Sequence, residues 1–439
     1  MTPSVVRNSA LVPVPATDRP FGWRDHASLW LSLGVGLLVM QVGSFLMPAM
    51  GTQAAFAAIV GGSAIGAALL AWTAKIGCDS GLSSAGLMHA TYGSAFARLP
   101  ILLNIVQLVG WTTFELVVMR DGIVAILRQA GLLPPAPAAA ADAAHALALT
   151  SPLSMPWAAT VATLAFGALL VALINGSMVT LVRRFVSRFG LPLVLLSLAW
   201  LTWQFWGRAT AQGWEAFWNR PGAGGMSTLA ALDLVIAMPI SWLPLVADFS
   251  RHGRDGRDAF AGTWVGYAIA NAWCYALGVL VALSAPSTDL VTALLLAQGG
   301  LIALGLILVD ELDNAYGDVY SGAVAGHSLA PRTSVRGWGI AMAVACTLLA
   351  LVLPMHGIEP FLLLLSSVFV PLYGVILGRL GGRTDVAERI GSVRIEWVAV
   401  GIWIAGVALF HLMPRWAPSL GSALPTLALT FALARLTRR

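Results

Sequence analysis

The chain has 439 residues, 58% of them hydrophobic and only 10% charged, with a mean hydropathy of +0.82 and a formal net charge of +5. A soluble domain carries about 25% charged residues, so this composition excludes one and predicts an all-α polytopic membrane protein. The pI near 9.5 would suit a nucleic-acid binder, but 20 of the 25 basic residues fall in termini and loops on one side of the apolar runs. Only Arg128, Arg208, Arg220 and Arg415 fall on the other, and Arg120 lies inside a run. That is the positive-inside pattern, which predicts a lipid bilayer and no nucleic acid as partner, both termini in the cytoplasm, and an even number of spans.

Residues 1–26 are polar and contain prolines, which predicts a cytoplasmic segment with no cleavable signal peptide. Apolar runs of about 20 residues then predict twelve transmembrane helices: 27–49, 54–75, 97–127, 157–181, 185–206, 227–248, 259–284, 299–325, 337–354, 359–380, 396–413 and 418–435. The first is interrupted by Gly34, Gly36, Gln41, Gly43 and Pro48, a concentration of helix-weakening residues around one polar side chain.

The third span reads Val109-Gly-Trp-Thr-Thr-Phe-Glu-Leu-Val-Val-Met119. Gln107, Trp111 and Glu115 follow one another at single helical turns, so an amide, an indole and a carboxylate share one stripe. An acid at the centre of a span costs roughly 2.5–3.5 kcal/mol on insertion scales and marks a substrate or ion site by default. The Ala- and Pro-rich stretch from Leu132 to Pro156 reads as an outer connector without a function.

The sixth span contains Pro239, Ser241 and Pro244, and each proline removes a backbone donor and crowds the preceding turn. Two interrupted helices five spans apart point to inverted repeats around a midplane site. The organisation that follows is a first repeat at 27–206, an outer connector at 207–226, a second repeat at 227–380, and two accessory helices with a short cytoplasmic tail at 381–439. The eighth span carries the densest acidic stretch, in which Asp310, Asp313, Asn314, Gly317 and Asp318 recur on one helical face. Hard oxygen ligands so arranged suit a cation. Nothing supports catalysis: there is no H-E-x-x-H pattern, and Cys78, Cys274 and Cys346 are too scattered for a disulfide framework or metal site.

Four segments carry a family resemblance: Thr91-Tyr-Gly93 after Gly81-Leu-Ser-Ser84, residues 107–115, Ser241 to Arg251, and Asp318-Val-Tyr-Ser-Gly322. In that order they resemble the nucleobase–cation symporter-1 family of purine, cytosine, hydantoin and thiamine-precursor permeases. The Trp111 to Glu115 context looks most like the hydroxymethylpyrimidine branch and next most like the cytosine permeases. The resemblance implies a leucine-transporter-like core of five-plus-five inverted repeats with two extra helices, in a bacterial inner membrane. It also implies uptake of a small heterocycle by cation-coupled alternating access, with a monomer sufficient and no cofactor beyond a coupling Na+ or H+.

By residue, the resemblance implies that Trp111 stacks on the heterocycle, that Glu115 stands where hydantoin-type members have glutamine, and that Asp318 stands where relatives have asparagine. Gln41, beside Gly43, matches the polar residue at the first helix break, Gln107 is a further substrate candidate, and Ser241 and Trp242 are both candidates at the sixth. The cation would lie between first-helix carbonyls, with Leu37 and Met40 as candidates, and Asp310, Asp313 and Asn314. An acid in place of a neutral hydroxyl ligand leaves sodium and proton coupling both open.

Overall fold

The computed structural model describes residues 9–135, 157–178, 189–285, 289–353 and 358–438. The expected connector from Leu132 to Pro156 lies mostly outside them, as do the end of the fourth expected span and the start of the fifth.

The first expected span is two helices, α1 (Trp23–Ser32) and α2 (Leu37–Ser44), bent by 60° across Leu33 to Gly36. Next come α3 (Thr52–Ser80), the short α4 (Ser84–Tyr92), α5 (Arg98–Gln129), α6 (Trp157–Ile174), α7 (Leu191–Ala209) and the short α8 (Trp214–Trp218). The sixth span is α9 (Thr228–Ser241) and α10 (Leu243–Ser250), which meet at Trp242. Beyond them lie α11 (Gly256–Ser284), the short α12 (Leu290–Leu295), α13 (Gly300–Leu329), α14 (Val335–Val352), α15 (Ile358–Leu380), α16 (Trp397–Trp416) and α17 (Ala423–Leu436).

Each expected span coincides with one of these helices or helix pairs. Among the described residues, nine are long and apolar enough to cross a membrane when the bent pair counts as one. The other three are α7, with tryptophans and Arg208 at its end, the acid-bearing α13, and α17, which has only 14 residues.

Packing follows a five-span exchange. The first span lies on α11 as the sixth lies on α3, while α3 pairs with α11, α5 with α13, and α6 with α14. Swapping each helix for the one five spans later maps this set of neighbours onto itself. The short α4 and α12 occupy matching places, after the second and seventh spans. Because five is odd, two such units run through a membrane in opposite senses. The accessory α16 and α17 pack on α15.

Small residues permit the closest approaches, as is usual between membrane helices. A side chain at Gly278 of α11 would strike the Met40 carbonyl, and one at Gly43 of α2 would strike the Tyr275 backbone. Along α3, Gly62 and Gly66 similarly face Val235 and Pro239 of α9.

The two interrupted spans are not equivalent, which corrects the expectation of two matched breaks. Among the described residues only the first is bent by more than 40°, and α9 with α10 runs on as one 23-residue span. Its kink is held from outside. Leu245 N–H turns to the Trp242 carbonyl and Pro244 has no N–H, so backbone oxygens are released. Asn104 of α5 donates to the Pro244 carbonyl at 3.0 Å, and Gln107 donates to the Ser241 carbonyl at 3.2 Å and to Asn104 at 3.0 Å.

Candidate functional site

The break in the first span frees backbone groups inside the helix bundle, where they need partners from protein. Two side chains of α13 supply them. Glu311 accepts from Leu37 N–H, the first residue of α2, and Asn314 donates to the Val35 carbonyl at 3.0 Å. Glycine at residue 36 eases the approach of Glu311: a Cβ there would stand 3.2 Å from Glu311 Oε1, a tight contact, and at an ordinary 3.5 Å from Asn314 Nδ2.

The break opens onto a small cavity of about 30 Å³. Leu33, Gly36, Leu38 and Val39 line it from the first span, Trp111 and Glu115 from α5, Met238, Ser241 and Trp242 from the sixth span, and Glu311, Asn314 and Asp318 from α13. Glu115, Glu311 and Asp318 are only 4%, 1% and 2% exposed. Among the described residues no Lys, Arg or His lines the cavity, so its polar side chains are three carboxylates, an amide, a hydroxyl and two indoles.

Rings fix its walls. Trp111 packs edge-on against Phe361 of α15 at 5.2 Å and 73°, and Trp242 packs edge-on against Trp30 of α1 at 5.8 Å and 85°. The Ser241 hydroxyl donates to the Met238 carbonyl at 2.7 Å, which leaves its oxygen as an acceptor. Among the described residues Glu115 Oε2, Asp318 Oδ2 and Asn314 Oδ1 have no hydrogen-bond donor, and Trp111 Nε1 has no acceptor. Buried polar groups are normally satisfied. The set is therefore rich in acceptors and complements a planar ligand rich in N–H donors.

Trp111, Glu115, Ser241, Trp242 and Asp318 thus converge on one space. Gln107 lies one turn away, against the sixth-span kink. Gln41 does not reach the cavity, because the break falls at residues 33–36; it lies one turn into α2 and lines a separate hollow with Ser44 and Asp289. Gly43 is a packing contact with α11.

The proposed cation ligands also separate. Leu37 offers its N–H to Glu311, and the Met40 carbonyl faces Gly278 of α11. Asp310 accepts from Ser32 at 3.1 Å and, with Asp313, lines a different cavity against residues 189–194. No set of three or more His, Cys, Asp and Glu side chains gathers to hold a metal ion among the described residues.

The reason is angular. At 100° per residue, positions 314, 318 and 311 lie 40°, 80° and 100° around the helix from 310, while 313 lies 60° the other way. The acidic stripe therefore divides between two cavities, and Glu311, missing from the expected ligands, belongs with Asn314 and Asp318. Its spacing of three and seven from those residues was the available signal.

Over residues 13–434 the chain matches the family described as permease for cytosine/purines, uracil, thiamine and allantoin. It is 28% identical over 217 residues to the cytosine permease of Escherichia coli strain K12, covering 47% of this chain and 50% of that protein. It is 30% identical over 121 residues to the purine-uracil permease NCS1 of Arabidopsis thaliana, covering 27% of this chain and 20% of that protein. The matches thus span about half the length, or less, of these curated relatives.

Among solved structures, it resembles the nucleobase-cation-symport-1 transporter Mhp1 in a closed conformation with bromovinylhydantoin bound. The TM-score is 0.78 at 16% identity, over 98% of this chain and 94% of that one. MhsT in complex with L-phenylalanine gives a TM-score of 0.63 at 16% identity, over 93% and 98%. At that identity the likeness is one of fold, and the fold is leucine-transporter-like.

Proposed function

The chain belongs to the permease family for cytosine/purines, uracil, thiamine and allantoin, a family of membrane transporters and not of enzymes, and within it we propose that this protein imports a small planar aminopyrimidine. Hydroxymethylpyrimidine, the thiamine precursor, is the substrate we favour. The observation that carries the proposal is the joint placement of Trp111, Glu115 and Asp318 around one buried cavity without a basic side chain.

A 4-aminopyrimidine offers an exocyclic N–H beside a ring nitrogen that can take a proton. Glu115 accepts from both when the ring is protonated, or exchanges one donor for one acceptor when it is itself protonated. Such charge-assisted pairing is roughly twice as strong as neutral pairing. Uracil, with carbonyls flanking its N–H, would set oxygen against oxygen. Trp111 supplies a stacking face, and stacking of a base on an aromatic side chain contributes about 1–3 kcal/mol. Asp318 and Ser241 supply further acceptors at the ring edge.

Transport proceeds by alternating access, with the first and sixth spans moving as a bundle and the two repeats, 27–206 and 227–380, rocking around the cavity. Uptake is coupled to a cation gradient, with both termini in the cytoplasm of a bacterial inner membrane and one chain sufficient. Cytosine is the second candidate, favoured by the 28% identity to a cytosine permease. The test is uptake of labelled hydroxymethylpyrimidine competed by cytosine, uracil, hydantoin and thiamine. Strongest displacement by hydroxymethylpyrimidine, then cytosine, is expected, and strongest displacement by uracil or hydantoin would refute the role given to Glu115.

A further inference from the structure

One buried charge has no part in the recognition chemistry above. Arg251 closes the end of α10 and is only 8% exposed, yet its Nε and Nη1 have no acceptor among the described residues. The carboxylate within its electrostatic reach, Asp248, is already engaged, accepting from Ser84 N–H at 3.1 Å and from the Ser321 hydroxyl at 2.5 Å. Tyr320 of α13 brings a neutral hydroxyl to Arg251, and Arg19, which shares His252 with it as a neighbour, adds a second guanidinium. Residues 1–8 contribute no Asp or Glu to the chain. A guanidinium taken out of water needs an anion or a full set of acceptors.

Arg251 lines a cavity of about 260 Å³ whose other walls are Ser9, Val12, Pro13, Val14 and Pro15. A water molecule's share of liquid volume is about 30 Å³, so the space takes a tetrahedral oxyanion together with several waters. Ser9 brings a hydroxyl to the wall opposite the guanidinium, and donors on two walls suit an anion with several acceptor oxygens. Arginine is the cation that pairs best with such groups, because its fork of N–H donors is planar and weakly hydrated.

The far wall belongs to a strap, residues 9–22, that is fastened to both repeats. On the first, the Ala10 carbonyl accepts from the Ser83 hydroxyl, Val14 N–H donates to the Gly81 carbonyl at 2.9 Å, and Arg19 donates to the Val14 and Cys78 carbonyls at 2.9 Å. On the second, Phe21 donates to the His252 carbonyl at 3.0 Å and accepts from Arg254 N–H at 2.9 Å. An anion held between Arg251 and residues 9–15 would add a third fastening, from the strap to the end of the sixth span.

We propose that this cavity is a phosphate site: a phosphate group, carried by a small solute or by a lipid headgroup, pairs with Arg251 and pins the strap across the two repeats. The site lies on the face that the basic residues assign to the cytoplasm, and it is separate from the cavity at the first helix break.

The test uses the full chain in detergent, titrated with sodium phosphate against sodium chloride of equal ionic strength, and then in nanodiscs of phosphatidylcholine with and without phosphatidylglycerol. Phosphate is expected to raise the melting temperature saturably and to slow amide hydrogen exchange at Val14 and Phe21 several-fold, because a ligand of the fastened arrangement holds those bonds closed. Arg251→Gln should raise the phosphate concentration needed by about tenfold or more, the loss of a hydrogen bond to a charged group. Val12→Glu, at a position 46% exposed, keeps the guanidinium and sets a carboxylate across from it. That variant should protect the strap without phosphate and no longer respond to it. Slowing by phosphate in pure phosphatidylcholine discs assigns the site to a solute, and slowing by phosphatidylglycerol to which phosphate adds nothing assigns it to a lipid headgroup. Exchange in the wild type that responds to neither source, or a phosphate effect that survives unchanged in both variants, overturns the proposal. No readout involves a transported substrate, so the result stands apart from the identity of the cargo.

Discussion

Replacing Glu115 by glutamine keeps the shape of the side chain and exchanges one carboxylate oxygen for an N–H₂ group. Glu115 is 4% exposed, and Oε2 has no donor among the described residues, so it is free to accept from a ligand in the proposed role. A hydrogen bond to a charged group contributes about 1.5–3 kcal/mol net and a neutral one about 0.5–1.5. Loss of a charged, two-point grip on an aminopyrimidine then weakens binding by about 1.5–3 kcal/mol, or about 10- to 100-fold at 1.4 kcal/mol per decade. For uracil the sign reverses, because a repelling oxygen becomes a donor. The expected result is a fall in affinity for hydroxymethylpyrimidine and cytosine with a rise for uracil, measured by isothermal titration in detergent and by competition in cells. The melting temperature should hold or rise, since Asp318 and Glu311 are within electrostatic reach of the charge that is removed. Unchanged affinity for the amino heterocycles in a folded variant would refute the assignment.

Trp111→Ala should cost about 1–3 kcal/mol of ligand affinity through lost stacking, with Trp111→Phe between it and the wild type; equal affinity in all three, by titration, would assign the indole to packing against Phe361 alone. Gln107→Ala leaves the Ser241 carbonyl with one donor fewer, and a buried unsatisfied group costs about 1–3 kcal/mol, so a lower melting temperature with unaltered ligand ranking is expected. A changed ranking would return Gln107 to the substrate site. Asp233 accepts from Ser422, Ala423 and Leu424 at the start of α17, the second at 2.8 Å. Asp233→Ala removes this cap and should destabilise by about 1–2 kcal/mol in thermal unfolding, with no effect on selectivity.

Helix number and place were legible because a 20-residue apolar run has few alternatives in a bilayer. Helix ends and breaks were less so. Glycines and a proline are scattered from Gly34 to Pro48, and composition alone puts the weak point near the polar residue, Gln41. The actual break, at Leu33 to Gly36, is where Glu311 and Asn314 arrive from 274 and 279 residues away. A break in lipid forms where partners for its freed backbone groups exist, and those partners belong to another span. The sixth-span kink obeys the same logic: two prolines suggested a rupture, but Asn104 and Gln107 capture the released carbonyls and the helix continues.

The acidic stretch of α13 shows why a stripe on a helical wheel does not identify a site. Residues 310, 313, 314, 317 and 318 do share a face, yet a helix 30 residues long in the centre of a bundle meets neighbours on every side. Asp310 and Asp313 turn to α1 and the start of α7, while Glu311, Asn314 and Asp318 turn to the break and to α5. Division of the acids between two cavities has a chemical consequence. A single cluster could bind a cation through several carboxylates at once, whereas acids divided between two cavities cannot close on one ion together. Glu115, Glu311 and Asp318, which do share a space, repel one another when all are ionised, so a donor-rich ligand that pairs with any one of them relieves that repulsion and favours the charged form of the rest.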